Sequence, residues 1–538
     1  TRLMYVQNIR IAIGQINPTV GMVDSNLELI DQACLEAKNQ GAELILFGEL
    51  ALSGYPIGDL ALRRDFLEAN EKGIQQLVKD STQWPELTIV VGYPRVADKT
   101  SGHDWAIAHN SAAVIHNGTL VGTYDKRHLP NYTVFDEWRN YIPGEAGLAF
   151  EVSGTKFAVM ICEDMWREEG PVEELKGNAD VCLVLNGSPF EKGKNELRRA
   201  ISKRVATQQQ VAIVYANLVG GQDDLVFDGD SFVIDSRGSE AGQAKIFEEE
   251  TILFDLAEKR PAELPEQDSR TWDALVIGLR DYVEKNSIPG VVLGLSGGID
   301  SAVCAALAVD ALGSERVKGI AMPSIHSSES SLVDAEQLAK NLGIEFEVVS
   351  ISDIHATFEK SINLTPLADE NIQSRIRALI LMADSNNSGR LLLSTGNKSE
   401  IAVGYSTIYG DSAGGYAPLK DVYKTEVYQL ANYRNSRSEV IPQNSITKAP
   451  SAELRPDQTD QQSLPEYEVL DAMLAVLIEG HGSVADLVTS GYPTNLATDI
   501  AQKLKAAEWK RAQGAIGPRI SQVSFGRGRR LPIANGYL

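Results

Sequence analysis

Three residues in the first half of the sequence carry side chains that can do chemistry together. Glu49 and Cys162 each follow an apolar run, and Lys126 stands in a polar stretch that leads to Asn131. A thiol attacks as its thiolate, so Cys162 needs a base and a positive charge nearby, which Glu49 and Lys126 supply if the chain brings them together. Taken singly, the ordinary explanations are a capping glutamate, a solvated lysine and a buried cysteine.

A second candidate site is the segment 296–301, Ser-Gly-Gly-Ile-Asp-Ser, which follows an apolar run and precedes a helical pattern. Gly297 and Gly298 can adopt backbone angles that turn consecutive N–H groups toward an anion, and the helix N-terminus adds partial positive charge. The segment lacks the glycine spacing of a nucleoside-triphosphatase loop or a dinucleotide fold. The alternative is a plain turn in which Asp300 or Ser301 caps the helix.

The composition of the chain limits the classes of partner that it can bind. The chain has 538 residues, a formal charge of -23, 43% hydrophobic residues and four cysteines without paired spacing. The acidic balance argues against nucleic acid and anionic membranes, and any phosphate site must be a local pocket. Unpaired cysteines and the lack of a long apolar segment or export signal predict a cytoplasmic protein.

The pattern of elements predicts two α/β domains. Short strand-like runs dominate the first half, whereas strands and helices alternate in the second, as in a doubly wound parallel sheet. The polar segment 258–270 contains two prolines and lacks periodicity, which is typical of a linker. We predict a first domain over 1–260, a linker over 261–271 and a second domain over 272–538, in which the amphipathic stretch from Trp272 begins a helix.

The order and setting of Glu49, Lys126 and Cys162 resemble the catalytic triad of the nitrilase superfamily of C–N hydrolases. The resemblance implies a layered α-β-β-α domain in which Glu49 acts as base, while Lys126 and the backbone N–H of Glu163 stabilise an oxyanion. It also places Glu137 among the acidic candidates near Lys126, although a solvent-exposed glutamate is the simpler interpretation.

Within that superfamily, the first half is similar to the glutaminase branch, and this implies that Tyr132, Ser188 and Lys194 bind the amino-acid end of glutamine. Two alternatives stay open. Lys192 has the same chemistry as Lys194, and Ser188 stands before a proline, where serine is a common turn residue. The seven histidines show no metal-ligand spacing and are assigned no catalytic role.

The segment 296–301 resembles the loop of the ATP pyrophosphatases, and further motifs narrow the family. With Ser-Thr-Gly-Asn-Lys-Ser-Glu at 394–400 and Gly-Asp-Ser-Ala-Gly-Gly through Pro-Leu-Lys-Asp at 410–421, the second half resembles the NAD synthetases. Together with the first half, the whole chain resembles the glutamine-dependent members of that family. His326 and Ala378 depart from the aromatic residue and the glycine expected there, which puts local nucleotide contacts in doubt.

The resemblance implies three sets of site residues in the second half. ATP would contact Gly294, Leu295, Ser296, Gly297, Gly298, Ile299, Asp300, Ser301, Thr395 and Lys420. Deamido-NAD would contact Asn371, Arg375, Glu400 and Lys510, and Mg²⁺ would bind Asp300, Glu400 and Asp411.

The implied reaction joins the two halves through ammonia. ATP adenylates the nicotinate carboxylate of deamido-NAD, and ammonia released from glutamine then displaces AMP. Because ammonia is mostly protonated near neutral pH, we expect it to pass through a dry channel, with 223–229 and the linker as candidate lining. The family also implies a homo-oligomer. The open alternatives are an amidotransferase for another carboxylate and a non-catalytic binding protein.

Overall fold

The computed structural model describes residues 9–97, 105–255 and 264–537. The chain forms two compact units, the first ending at Leu264 and the second beginning at Pro265. Of the predicted linker, 261–263 lies outside the described residues, as do 1–8 and 256–260 of the predicted first domain. The helix expected from Trp272 already begins at Gln267, since its buried face starts at Arg270 and Thr271, polar residues that the hydrophobic pattern could not reveal.

The first unit contains two six-stranded sheets, in the orders β14-β1-β2-β3-β4-β5 and β13-β12-β9-β8-β7-β6, and a two-stranded ribbon, β10-β11. The strands are β1 Arg10–Gln15, β2 Leu44–Phe47, β3 Thr88–Val96, β4 Ala108–His116, β5 Thr119–Asp125, β6 Ala149–Val152, β7 Thr155–Ile161, β8 Val181–Asn186, β9 Ala212–Asn217, β10 Val219–Gln222, β11 Leu225–Asp228, β12 Phe232–Ile234, β13 Glu240–Gln243 and β14 Glu250–Asp255. The helices are α1 Val23–Asn39, α2 Arg64–Asp80, α3 Glu137–Asn140, α4 Glu163–Trp166 and α5 Lys194–Gln209.

The two sheets pack face to face between layers of helices. Alternate residues of β2 point to opposite faces, so Leu44 and Leu46 join the core between the sheets, whereas Ile45 and Phe47 pack under α1 and α2. Helix α5 covers the outer face of the other sheet. Each such fully buried aliphatic side chain stabilises the fold by about 1.5–3 kcal/mol. This α-β-β-α arrangement confirms the predicted fold.

The carboxyl ends of three strands meet at one edge of this unit. β7 and β8 are parallel neighbours, and the Cys162 N–H donates to the Leu185 carbonyl at 2.9 Å. Across the sheets, the Glu49 N–H after β2 donates to the carbonyl of Asn186 at 3.2 Å. The residues that follow these strands therefore lie close together.

The second unit is built on four parallel strands in the order β17-β16-β15-β18. The strands are β15 Val291–Gly294, β16 Val317–Ala321, β17 Glu345–Val348 and β18 Leu391–Leu392. The helices are α6 Gln267–Lys285, α7 Ile299–Leu312, α8 Glu329–Leu342, α9 Ser352–Ser361, α10 Pro366–Ser388, α11 Lys398–Val403, α12 Lys424–Arg437, α13 Gln443–Thr447, α14 Tyr467–Ile478, α15 Val484–Thr489, α16 Thr494–Ala506 and α17 Glu508–Arg511.

The strand order confirms the predicted doubly wound sheet and locates its ligand crevice. The chain passes from β15 outward to β16 and β17 and then returns to β18 on the other side of β15. Ligands bind where the strand order reverses, outside the carboxyl ends of the strands. The segments 296–301 and 394–400 leave β15 and β18 at this point.

Strand β17 has one neighbour, β16, among the described residues. Its Glu345 and Glu347 stand two residues apart and both pair with Lys318 of β16, at 3.3 and 2.9 Å. Across the described residues, no helix is both long and apolar enough to cross a membrane.

Candidate active sites

The side chains of Glu49 and Lys126 meet in the first unit. Lys126 Nζ lies 2.6 Å from Glu49 Oε1 and 2.8 Å from Glu137 Oε2, and both Lys126 and Glu49 are fully buried. Glu49 is held further by Asn110, whose Nδ2 donates to Oε1 at 2.7 Å, and by the Gly187 N–H, which donates to Oε2 at 3.0 Å. The lysine ammonium is thus fixed between two carboxylates.

The charged groups of this cluster shift one another's pKa values. Burial disfavours the Lys126 ammonium, but Glu137 and Glu49 outweigh it and raise the pKa of Lys126 well above its usual range. Burial raises the pKa of Glu137 to about 7, with Lys126 opposing the shift. The site therefore retains a positive charge on Lys126 at neutral pH.

Cys162 lies where β7 ends and α4 begins, with the left-handed backbone angles φ 46° and ψ -101°. A residue other than glycine in this region costs about 1–3 kcal/mol and persists where the surrounding structure enforces it, often at a catalytic turn. The thiol is 6% exposed. Burial and the charge of Glu49 raise the pKa of Cys162, and Lys126 counteracts them, so the resting thiol is protonated.

Sequence reasoning missed part of the scaffold around these residues. Glu137 is buried, so the expectation of a solvent-exposed glutamate was wrong. Its Oε1 accepts from the Tyr55 hydroxyl at 3.2 Å as well as from Lys126. Asp164 is fully buried and accepts from the N–H groups of Arg127 and His128, at 3.1 and 2.7 Å. It thereby ties the turn at Cys162 to the segment that carries Lys126.

The three residues predicted to bind glutamine lie in different settings. Tyr132 is half exposed and its hydroxyl donates to Glu163 Oε2 at 2.8 Å, next to Cys162 in the chain. Ser188 is buried on the loop after β8, one residue beyond the Gly187 N–H that binds Glu49. Lys194 begins α5, with Nζ 3.6 Å from a carboxylate oxygen of Glu191. These assignments stay predictions.

In the second unit, the segment 296–301 forms a compact turn held by its own serines. The Ser301 hydroxyl lies 3.1 Å from that of Ser296, which accepts from the Gly298 N–H at 3.2 Å. Gly297 has φ +76°, and a Cβ there would come within 2.3 Å of the Ser331 carbonyl oxygen, so the position requires glycine. The predicted turn between β15 and α7 is therefore present, and its role in binding an anion stays a prediction.

Two carboxylates and one ammonium gather beside this turn. Asp300 accepts from Asn397 Nδ2 at 2.8 Å and from Lys424 Nζ, which also lies 3.3 Å from Glu400 Oε1. Burial, followed by the charge of Asp300, raises the pKa of Glu400 to about 8, with Lys424 opposing the shift. Lys424 received no role from the sequence, although it follows the motif at 410–421 by three residues and begins α12.

A cavity of about 740 Å³ extends from the turn at 296–301 across the carboxyl ends of the strands. Its wall includes the predicted residues Gly294, Leu295, Ser296, Gly298, Ile299, Asp300, Thr395, Asn371, Glu400, Asp411 and Lys510. A cavity of about 960 Å³ in the first unit lies instead at the amino ends of β1–β3, beside Arg10, Glu43 and Thr88, away from the residues predicted to act. Size alone does not identify the site.

Four predicted residues fall outside the wall of the second-unit cavity, namely Gly297, Ser301, Arg375 and Lys420. Arg375 Nε donates to the Ile408 carbonyl at 3.2 Å, and Lys420 Nζ donates to that of Ala515 at 2.5 Å. Gly297 and Ser301 instead shape the turn. The roles given to all four stay predictions.

Two further predicted residues on the cavity wall have other hydrogen-bond partners. Asp411 Oδ1 accepts from the Thr407 N–H and the Ser374 hydroxyl, at 2.8 and 2.9 Å. Lys510 Nζ donates to the carbonyls of Gly404 and Ser406, at 2.8 and 2.7 Å. Of the two departures from the family motifs, Ala378 lines the cavity and His326 does not.

Both halves match known families. The family model described as carbon-nitrogen hydrolase matches residues 10–265, and that described as NAD synthase matches residues 271–514. A glutamine-dependent NAD(+) synthetase of Acinetobacter baylyi is 44% identical, with 99% of each chain covered. One of Aquifex aeolicus is 42% identical, covering 98% of this chain and all of that one.

Solved structures agree in fold. The glutamine-dependent NAD+ synthetase of Acinetobacter baumannii, solved in complex with adenosine diphosphate, is 40% identical, covers 99% of both chains and has a TM-score of 0.77. That of Cytophaga hutchinsonii, at 22% identity and a TM-score of 0.84 over 98% of both chains, supports the fold alone.

The two units thus define an amide-forming ligase with its own C–N hydrolase. At this identity over its full length, the chain belongs to the glutamine-dependent NAD(+) synthetase family, ATP-dependent ligases with glutamine as amide donor.

Proposed function

We propose that the first unit releases ammonia from glutamine at Cys162 and that the second unit uses it to convert deamido-NAD to NAD with ATP. The observation that carries the proposal is the pair of charge clusters, Glu49 with Lys126 beside Cys162 in one unit and Asp300 with Lys424 in the other. Each cluster suits one half of the reaction.

In the glutaminase half, Glu49 takes the thiol proton as Cys162 Sγ attacks the amide carbon of glutamine. Lys126 and the Glu163 N–H stabilise the oxyanion, the C–N bond breaks, and the proton on Glu49 moves to the departing nitrogen to give ammonia. Water, deprotonated by Glu49, then cleaves the thioester and releases glutamate. Tyr132, Ser188 and Lys194 hold the amino-acid end of the substrate.

In the synthetase half, the turn at 296–301 and the Lys424 ammonium hold the phosphates of ATP. An oxygen of the nicotinate carboxylate attacks the α-phosphorus, and pyrophosphate leaves. Ammonia then attacks the activated carbonyl carbon, AMP leaves, and one proton is lost to give the amide. Asn371, Arg375 and Lys510 are proposed to position deamido-NAD. Passage of ammonia in a channel and assembly into a homo-oligomer remain predictions.

The carboxylates beside the turn fit a divalent cation. Asp300 and Glu400 offer hard oxygen ligands on the cavity wall, and a bound cation would favour the charged form of Glu400 that burial and Asp300 disfavour. We propose these two residues as Mg²⁺ ligands, with Asp411 on the same cavity as a further candidate. Mg²⁺ would neutralise phosphate charge during adenylation.

The paired assay of Cys162→Ala tests this division of labour. We expect glutamine-driven NAD synthesis to fall at least about a thousandfold, because the nucleophile is lost, while synthesis from ammonium chloride stays close to that of the wild type. A Cys182→Ala variant, which removes another buried thiol of the same unit, is the control. If a folded Cys162→Ala protein loses both activities, or keeps both, the proposal is wrong.

A further inference from the structure

A buried ion pair lies beneath the loop that carries Ser188. Arg198 on α5 and Asp228 at the end of β11 are both almost fully buried, and Arg198 NH1 lies 2.8 and 2.9 Å from the two carboxylate oxygens. Asp228 also accepts from Asn195 Nδ2 at 2.7 Å. The pair therefore satisfies the charge of Asp228 with one nitrogen of the guanidinium.

The other nitrogens of the Arg198 guanidinium donate hydrogen bonds to the loop that carries Ser188. Arg198 Nε donates to Ser188 Oγ at 3.1 Å, and NH2 donates to the carbonyls of Ser188 and Pro189, at 2.7 and 2.9 Å. An arginine has five N–H donors in a rigid plane, so these contacts fix the loop in position and orientation. The Ser188 N–H in turn donates to Asn217 Oδ1 at 2.9 Å.

These contacts determine what the Ser188 hydroxyl can do. Its oxygen already accepts from a cation, so its hydrogen must point away from Arg198 and is available to an acceptor. One such acceptor is the fully buried Tyr215 hydroxyl: burial raises the pKa of Tyr215, and a hydrogen bond from Ser188 opposes the rise. Ser188 follows Gly187, whose N–H donates to Glu49. A carboxylate is a stronger acceptor than a neutral hydroxyl, so a substrate carboxylate that reaches this loop would take the Ser188 hydrogen from Tyr215, whereas an ammonium group could not accept it.

We propose that Arg198 is a positioning residue that presets Ser188 as a hydrogen-bond donor to the α-carboxylate of glutamine, and so gives the hydrolase its preference for an amino acid over a simple amide. The inference rests on the proposed glutaminase function. Arg198 itself does not contact the substrate. Its effect is on recognition of the carboxylate, not on attack by the thiol.

The neighbouring residue supplies a matched control. Arg199 also forms a buried ion pair, with NH1 2.6 Å from Asp230 Oδ2, but its hydrogen bonds among the described residues do not reach Ser188. Arg198→Lys and Arg199→Lys each keep a positive charge for the buried carboxylate and remove the planar fork. Only the first change releases the Ser188 loop.

The experiment compares ammonia release from glutamine and from 4-aminobutanamide, which has the same amide and amino group but no carboxylate. For Arg198→Lys and for Ser188→Ala, we expect kcat/KM for glutamine to fall about 10- to 100-fold, chiefly through KM, as for loss of a charge-assisted hydrogen bond. The kcat/KM for 4-aminobutanamide should change less than about threefold. The variant that carries both substitutions should lose no more kcat/KM for glutamine than either single variant.

Arg199→Lys and Tyr215→Phe should keep the wild-type ratio between the two substrates. If Arg198→Lys lowers both substrates equally, or if Arg199→Lys reproduces its effect, the inference is wrong and Arg198 is only structural. If Arg198→Lys does not fold, Asp228→Asn, which frees the guanidinium from its anchor, must shift the ratio in the same direction. A folded wild type that hydrolyses no glutamine would instead overturn the proposed function itself.

Discussion

Both candidate sites are organised around a buried lysine between two carboxylates, but the two lysines differ in how the protein supports them. Around Lys126, the partner carboxylates also accept hydrogen bonds from Asn110, Gly187 and Tyr55. The cluster is closed by protein groups and lies within a packed interior.

Around Lys424, the corresponding carboxylates line an open cavity, and the pKa of Glu400 is raised to about 8. Here the carboxylates stay partly exposed, with 19% and 18% of the Asp300 and Glu400 side chains accessible, against 0% and 5% for Glu49 and Glu137. The difference teaches that the hydrolase cluster is preorganised by the protein that encloses it, whereas the synthetase cluster faces the cavity in which we propose that a polyphosphate and a cation bind. Three experiments test this contrast.

The largest effect is expected for Lys126→Met. Loss of the ammonium removes the charge beside the thiol and leaves two buried carboxylates unpaired, so glutamine hydrolysis should fall about a thousandfold. NAD synthesis from ammonium chloride should remain, and Lys72→Met, at an exposed position of α2, should change neither activity. Glutaminase activity within tenfold of the wild type would show that the preorganised charge is not needed.

A smaller loss, about a hundredfold, is expected for Lys424→Met, because it removes the ammonium that we propose binds the phosphates of ATP. Synthesis should fall equally with glutamine and with ammonium chloride as nitrogen source, while glutamine hydrolysis measured without the other substrates persists. Lys340→Met, on the exposed side of α8, is the control. An effect confined to the glutamine-driven reaction would contradict the role assigned to Lys424.

The smallest effect concerns pH. The folded pKa of Glu400, about 8, lies above its ordinary value of 4.5, so the folded state binds the extra proton between these values. The free energy of unfolding should therefore decline as pH rises from 5 to 8, and less so in Glu400→Gln, where the group cannot ionise. Denaturant unfolding at several pH values measures the difference. If the free energy of unfolding falls equally with pH in both proteins, the pKa of Glu400 is not raised in the folded state.

The sequence predicted the residues at strand ends better than those that support them. Glu49 and Cys162 follow apolar runs whose strand character could be recognised locally. The structure brings the ends of these strands together at one edge of the first unit. Glu137 and Asp164 could not be identified, because their burial results from how distant segments close over Lys126. The residue type alone does not distinguish a buried glutamate or aspartate from one at the surface.

The same limit applies in the second unit. The strand-and-turn pattern predicted the sheet and the turn at 296–301, since alternation and glycines are local signals. The position of Lys424 was not predictable, because α12 must first pack beside α7 to bring its first residue to Asp300. Lys420, which lies four residues before Lys424 in the chain, instead contacts the Ala515 carbonyl.

Strand β17 bears on how the protein behaves at high concentration. A strand with an unpaired side can recruit the backbone of another molecule, and charged side chains along it oppose this. Glu345 and Glu347, held by Lys318, place negative charge along β17. Replacing both glutamates with valine would leave catalysis by each molecule unchanged and would lower solubility, because the nucleotide-binding sheet could then grow by edge-to-edge aggregation.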